Sequence, residues 1–355
     1  GLALAFRANS HDGAAAVAMA AALLHCLNHS WFKSLLFLGA GAVLHATGRR
    51  DLDGLGGLIH RMPRTAAFFL VGALAIAALP PLNGFVSEWL LFQAVMAAPQ
   101  LPQAALHFAS PAIGAMLALA AALAAACFVR VYGTAFLGRP RSAEAAAAHD
   151  APLVQQVALG GLAMLCVLGG LLGSVLAWAL APVLVQMVGS ALPGDGSGPT
   201  PLSLVAFDPE RSIYDAPVIA LFVVIASLTT MLVVHRLSAR RTRRGPAWDC
   251  GFPDPSPLTQ YTASSFAQPL RRVYGTTAFA ARETVDMPPP GDGRPARLAV
   301  VSVDYAWQAF YAVPGRLLLR LSERLNALQF LTIRRYLALM FAALVILLSI
   351  AAVTA

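Results

Sequence analysis

The chain has 355 residues, 58% of them hydrophobic and only 12% charged, with a mean hydropathy of +0.68. Soluble domains carry about 25% charged residues, so lipid solvates most of this chain and its length is counted in membrane spans. A net charge of +8 would suggest nucleic acid only on a soluble basic surface. Here the arginines gather between apolar runs, as a topology signal does.

An apolar run needs ~20 residues to cross about 30 Å of hydrocarbon. In chain order, the first two runs, 14–27 and 30–46, are each slightly short. The next, 65–97, is interrupted by Leu79-Pro80-Pro81-Leu82-Asn83-Gly84. Proline removes backbone donors and glycine admits unusual dihedrals, so this run reads as a broken helix. Spans follow at 111–136, 153–188, 216–235 and 336–355. The 153–188 run exceeds one span, so it must tilt, kink or end at the interface. Lipid offers backbone groups no partner, so every span is helical. The pattern predicts an all-α membrane protein of about seven transmembrane helices, one of them broken, plus an amphipathic interfacial helix.

Charge placement orients these spans. Loop 47–64 carries Arg49, Arg50, Arg61 and Arg64, and loop 137–152 carries Arg139 and Arg141, while 98–110 has no basic residue. Loop 189–215 is acidic but for Arg211, and 236–335 holds fifteen arginines. The alternation predicts that 47–64, 137–152 and 236–335 face the cytoplasm of a bacterial inner membrane, with the C-terminus outward. Residues 137–235 then supply additional spans, 236–303 a basic and mostly irregular cytoplasmic segment, and 336–355 the last span. Within 304–335, Leu317, Leu321, Leu325 and Leu328 form an apolar stripe opposite Arg316, Arg320 and Arg324. That helix suits either the membrane surface or a strut across neighbouring spans.

Cys26, Cys127, Cys166 and Cys250 are scattered and have no metal-site spacing, so no metal or cofactor is expected in this chain. Gly54-Leu-Gly-Gly57 lacks a strand–helix context and reads as a turn. The chain opens on Gly1 in mid-pattern, as the C-terminal part of a longer polypeptide would.

Lys33 is the only lysine among 25 basic residues, and it sits in an apolar run behind His25 and His29. On a helix the three would drift by ~40° per step and share one face over ~12 Å; Asn28 and Ser30 could instead mark a break. Amines and imidazoles at membrane depth exchange protons near neutral pH, so the line permits proton hopping. The plainer alternative is a hydrogen-bonded histidine and a lysine that snorkels from a span end. His45, near the cytoplasmic end, is a further possible relay. Glu88 is the only acidic residue in any apolar run, just past Pro80, Pro81, Asn83 and Gly84. It reads as a proton acceptor beside the helix break, as a counter-ion to Lys33, or as a satisfied structural carboxylate.

The run from His25 to Val43, together with Gly56-Gly57-Leu58 and Leu79 to Glu88, resembles the antiporter-like subunits of respiratory complex I and of Mrp antiporters. Trp248-Asp-Cys-Gly-Phe252 and Gln260 to Pro269 look more like the large membrane subunit of formate hydrogenlyase and hydrogenase-4. The resemblance implies two inverted repeats with linked proton half-channels, of which residues 1–136 would supply the second. Lys33 would match the central relay position, His25 and His29 its neighbours, and Glu88 the ionisable position on the broken helix. Some relatives carry lysine at the last of these. The absent first repeat implies that this chain does not move protons alone. Implied partners are other membrane subunits and soluble hydrogenase or electron-transfer subunits on the cytoplasmic side. A complex I or Mrp-type antiporter subunit, and a non-conducting scaffold for soluble subunits, are the competing readings.

Overall fold

Small residues decide how the first helices meet. In the computed structural model, which describes residues 1–193, 202–208, 210, 212–238, 256–275, 280–301, 303–326 and 332–354, a short α1 (Leu2–Ala8) leads into α2 (Asp12–Thr47). The latter buries a stripe through Ala14, Ala21, Leu24, Asn28, Phe32, Leu35, Gly39 and Ala42. Apolar helices gain nothing by leaving lipid for one another, so close approach at small side chains holds such a seam together. The 36 residues of α2 span about 54 Å before Gly48 ends it with φ +66°. The two short spans expected at 14–27 and 30–46 are therefore one helix. Ser30 stays helical by donating to the Leu27 carbonyl (2.7 Å), and Asn28 is occupied across the seam.

The next run divides into α3 (Pro63–Ile76) and α4 (Asn83–Ala97), 14 and 15 residues long. Each half is too short to cross a bilayer alone. The bend between them includes Ala78 at φ +51° and a cis Pro80–Pro81 bond. Gly84 admits α4 against the end of α3, because a Cβ there would collide with the Ala75 carbonyl oxygen. Then come α5 (Ala104–Ala135), α6 (Ala143–Ala147), α7 (Leu153–Leu171), α8 (Gly173–Ala179) and α9 (Ala181–Val188). The run 153–188, expected to tilt, kink or end at the interface, is divided at Leu172 and Leu180. Strands β1 (Ser203–Val205) and β2 (Ile213–Asp215) pair antiparallel, Leu204 opposite Tyr214, ahead of α10 (Ala216–Leu237). Five described helices are long and apolar enough to cross a membrane: α2, α5, α7, α10 and the last, Ile333–Thr354.

One end of this first unit, residues 1–266, gathers two of the basic loops. Gly57 and Ile59 N–H donate to the Leu137 and Phe136 carbonyls (both 2.9 Å), and Arg141 donates to those of Leu55, Thr134 and Tyr261. The segment 256–266 joins this end. Gln260 accepts from the Arg139 N–H and donates to its carbonyl, and Asp53 caps α11 (Ala263–Phe266) through Ala263 N–H and Ser264 Oγ. Gly54-Leu-Gly-Gly57 lies in two tight turns, with Gly56 and Gly57 at positive φ.

Arg49 forks onto Glu144 at 3.2 Å, and this hydrogen bond holds the Glu144 carboxyl below the ordinary carboxylate range. A lowered folded value makes the tie complete above the unfolded pKa and lost as pH falls through the folded one. Glu144→Gln should therefore lower the melting temperature slightly at neutral pH, with the difference gone near pH ~3; scanning calorimetry at both values checks it.

The second unit, residues 267–355, begins with α12 (Gln268–Tyr274) and an antiparallel pair, β3 (Arg282–Asp286) and β4 (Arg297–Val301). Arg271 of α12 binds Glu283 of β3 at 3.2 Å. The irregular course expected for 236–303 thus omits these strands and the helices α11 and α12; residues 239–255, including Trp248-Asp-Cys-Gly-Phe252, lie outside the described residues. Helix α13 (Tyr305–Trp307) runs through a wider π-helical turn at Gln308–Ala312 into α14 (Val313–Asn326). Leu317, Leu321 and Leu325 are exposed along one face, while Leu328 lies outside the described residues. Helix α15 (Ile333–Thr354) closes the chain.

Candidate functional site

Continuity of α2 places Lys33 well inside one helix. It lies about 32 Å along the axis from Asp12 and about 21 Å from Thr47. Neither end of the helix is within reach of a lysine stem. Its ammonium sits 5.7 Å from the Phe37 ring centre, a cation–π distance.

The helix also fixes the imidazoles. His25 and His29 rings are 6.0 Å apart, and Phe32 packs edge-on against both, at 6.4 and 5.3 Å. The four-residue rows drift by ~40° each, so His25, His29 and Lys33 form a line along the flank of the buried stripe. His45 stands ~18 Å beyond Lys33 and ~120° around the axis, exposed in the last turn. It does not join the line.

Helix α4 runs antiparallel to α2 here, and two contacts register them. Asn28 Nδ2 donates to the Asn83 carbonyl (2.8 Å), and Asn83 Nδ2 answers to Asn28 Oδ1 (3.3 Å) and its carbonyl (3.4 Å). Both asparagines are fully buried. One turn further, His25 Nδ1 lies 3.2 Å from Ser87 Oγ, which donates to the Gly84 carbonyl at 3.0 Å. Glu88 follows directly, half-buried. Among the described residues Glu88 and Lys33 form no ion pair with each other or with any other group. The counter-ion reading of Glu88 therefore has no direct contact behind it.

The break is clasped from behind by α7. An ideal Cβ on Gly170 would run into the Pro81 carbonyl oxygen and come within 2.7 Å of the Leu82 carbonyl carbon and 2.8 Å of the Asn83 nitrogen. Backbone exposed by the break is thus covered by protein, as it must be at membrane depth. Asn83 Oδ1 is buried there without a protein partner, the kind of group that ordered water satisfies.

Beyond the break, Tyr214 of β2 packs on Phe85 and Trp89 of α4, at 5.2 and 5.7 Å, flanking Glu88 in sequence. Burial, with Asp215 nearby, pushes the Tyr214 hydroxyl up to about 12, so it stays protonated across the working range. No group of three or more His, Cys, Asp or Glu among the described residues is placed to hold a metal.

Residues 4–126 match the family described as NADH:quinone oxidoreductase/Mrp antiporter, transmembrane. Over these residues the chain carries the antiporter-like transmembrane region of that family. Formate hydrogenlyase subunit 3 of Escherichia coli K12 is 36% identical over 264 residues, covering 73% of this chain and 40% of that protein. Hydrogenase-4 component B of the same strain is 36% identical over 272 residues, covering 76% and 40%. The chain thus spans about two fifths of the length of these relatives. A chain of the membrane-bound sulfane sulfur reductase, an archaeal respiratory membrane complex, superposes with a TM-score of 0.61 at 22% identity, over 94% of this chain and 48% of that one. That likeness is one of fold.

Sequence reasoning missed Asn28 and Ser87 as contacts. The signal for Asn28 is its placement between His25 and His29, where a lipid-facing amide is costly; by hydropathy alone it reads as an interruption. Asn28→Leu should strand the Asn83 amide and carbonyl, at about 1–3 kcal/mol per buried group. The melting temperature of the purified complex should fall clearly below that of a Ser30→Ala control.

Proposed function

We propose that this subunit translocates protons within an energy-converting, membrane-bound hydrogenase of the hydrogenase-4/formate hydrogenlyase type. Electron transfer in partner subunits would drive charge changes that move protons along Lys33, His29, His25 and Glu88. The observation that carries this reading is the titratable line on α2 meeting the helix break: His25 touches Ser87, and Glu88 is the next residue. Three proton-exchanging groups at four-residue spacing bring each hop within one or two waters. The similarity to the two hydrogenase-type proteins supports the choice of complex.

The remaining assignments follow from charge and cover. The end carrying the arginines of 47–64 and 137–152 would face the bacterial cytoplasm, with 236–335 on the same side and the C-terminus outward. Soluble hydrogenase or electron-transfer subunits would dock on that side, and other membrane subunits on the exposed spans. The segment 304–335 would supply an amphipathic helix lying laterally across neighbouring spans, and 1–136 the second half of the channel repeat. The chain itself would hold no cofactor.

The family match equally names quinone oxidoreductases and Mrp antiporters, and the channel chemistry would be the same there. Purification of the tagged complex separates the readings: co-purifying nickel and hydrogen-dependent dye reduction support the first, and quinone reductase activity overturns it. Glu88→Gln tests the relay. In vesicles holding the intact complex, acidification coupled to electron transfer should fall at least about tenfold while electron transfer persists. Undiminished acidification would remove Glu88 from the path.

A further inference from the structure

At the basic-loop end, α2, α3 and α5 part around a cavity of about 420 Å³, within the range of small-molecule sites. Its walls are apolar, including Gly41 and Leu44 of α2, Phe69 of α3 and Val131 of α5, and its rim carries Arg49 and Arg50. Both arginines follow the glycine that ends α2, where apolar helix gives way to polar loop. We infer that this cavity is a binding site for an anionic phospholipid, with an acyl chain between the helices and the phosphate on Arg50.

Three observations select this occupant. The walls are mostly apolar, so the ligand's buried part must be apolar. The rim offers net positive charge: Arg49 is neutralised by its fork on Glu144, whereas Arg50 is exposed and takes no hydrogen bond or ion pair among the described residues. Finally, carbon walls below a cation at the water boundary match a diacyl lipid, whose anion and chain are joined at that spacing. A zwitterionic lipid would bring its own ammonium against Arg50. A helix from a neighbouring subunit would fill the slot but leave the guanidinium unexplained.

The test of this site does not use activity. The intact complex is exchanged in detergent against phosphatidylglycerol or phosphatidylcholine, and retained lipid is counted by native mass spectrometry. The unaltered complex should retain more phosphatidylglycerol. Arg50→Gln should reduce that retention about fivefold and leave phosphatidylcholine unchanged. Gly41→Leu should reduce retention of both lipids, since a Cβ at Gly41 meets nothing within 4 Å and the added side chain fills the slot. Neither variant disturbs a packed contact. A photocrosslinker on Gly41→Cys should yield a lipid adduct. Unchanged phosphatidylglycerol retention in both variants, or a crosslink to a neighbouring polypeptide, overturns the proposal.

Discussion

Lys33→Ala is expected to abolish redox-coupled proton translocation while leaving electron transfer in the partner subunits running. The expected loss is about 10²-fold or more, the range for removing a positioned proton-transfer group. The reason is its position on the helix. With both ends of α2 more than about 20 Å away, no other residue on this helix carries an amine, and the next groups in the row are Phe37 and Gly41. A proton leaving His29 toward the basic end therefore has Lys33 as its next titratable stop.

Alanine alone cannot distinguish a relay from a fixed positive charge. Lys33→Arg does so: guanidinium keeps the charge and the Phe37 contact but does not deprotonate. Under the relay reading this variant is as inactive as Lys33→Ala. Recovery of pumping by arginine would instead make Lys33 a static charge. His29→Gln should then slow pumping in proportion to the lost hop. Vesicle acidification measured from about pH 6 to 8, alongside electron transfer, checks all three variants.

Much of this was legible in the sequence because costly residues at membrane depth are conspicuous. Lys33, Glu88 and the Pro80-Pro81 break each violate what a lipid-solvated helix permits, so each stands out without coordinates. What sequence could not supply was pairing. Asn28, His29 and Ser30 look like a polar interruption of an apolar run, and splitting α2 there is reasonable on hydropathy. The structure resolves the polarity differently. Asn28 turns into the bundle toward the Asn83 carbonyl, which is available only because α4 starts there. One anomaly satisfies another, 55 positions away. The strands β3 and β4 are hidden for a different reason. In Arg282-Glu-Thr-Val-Asp and Arg297-Leu-Ala-Val-Val every side chain is exposed except Val300, which is half-buried. With no face to bury, the pair imposes little period-2 signal on its sequence.

The pairing of Asn28 with Asn83 makes Gly170 a sensitive position in the scaffold. Gly170→Ala adds one methyl where the Pro81 carbonyl oxygen, the Leu82 carbonyl carbon and the Asn83 nitrogen already stand. All three are backbone atoms, and no rotamer change can clear them. Either α7 withdraws or the bend at 79–83 shifts, and overpacking of this kind costs about 1–3 kcal/mol or more. A shift of the bend moves Asn83 off Asn28 and Ser87 off His25, since all four depend on the register of α4 against α2. The expected outcome is a lowered melting temperature together with impaired proton translocation, although Gly170 carries no ionisable group. Gly161→Ala, on the same helix with nothing within 4 Å of its Cβ, is the matched control. It should be neutral or slightly stabilising, because alanine outranks glycine in a helix by roughly 1 kcal/mol. If Gly170→Ala melts and pumps as Gly161→Ala does, α7 does not hold the break, and the geometry of the line must be set by α2 and α4 alone.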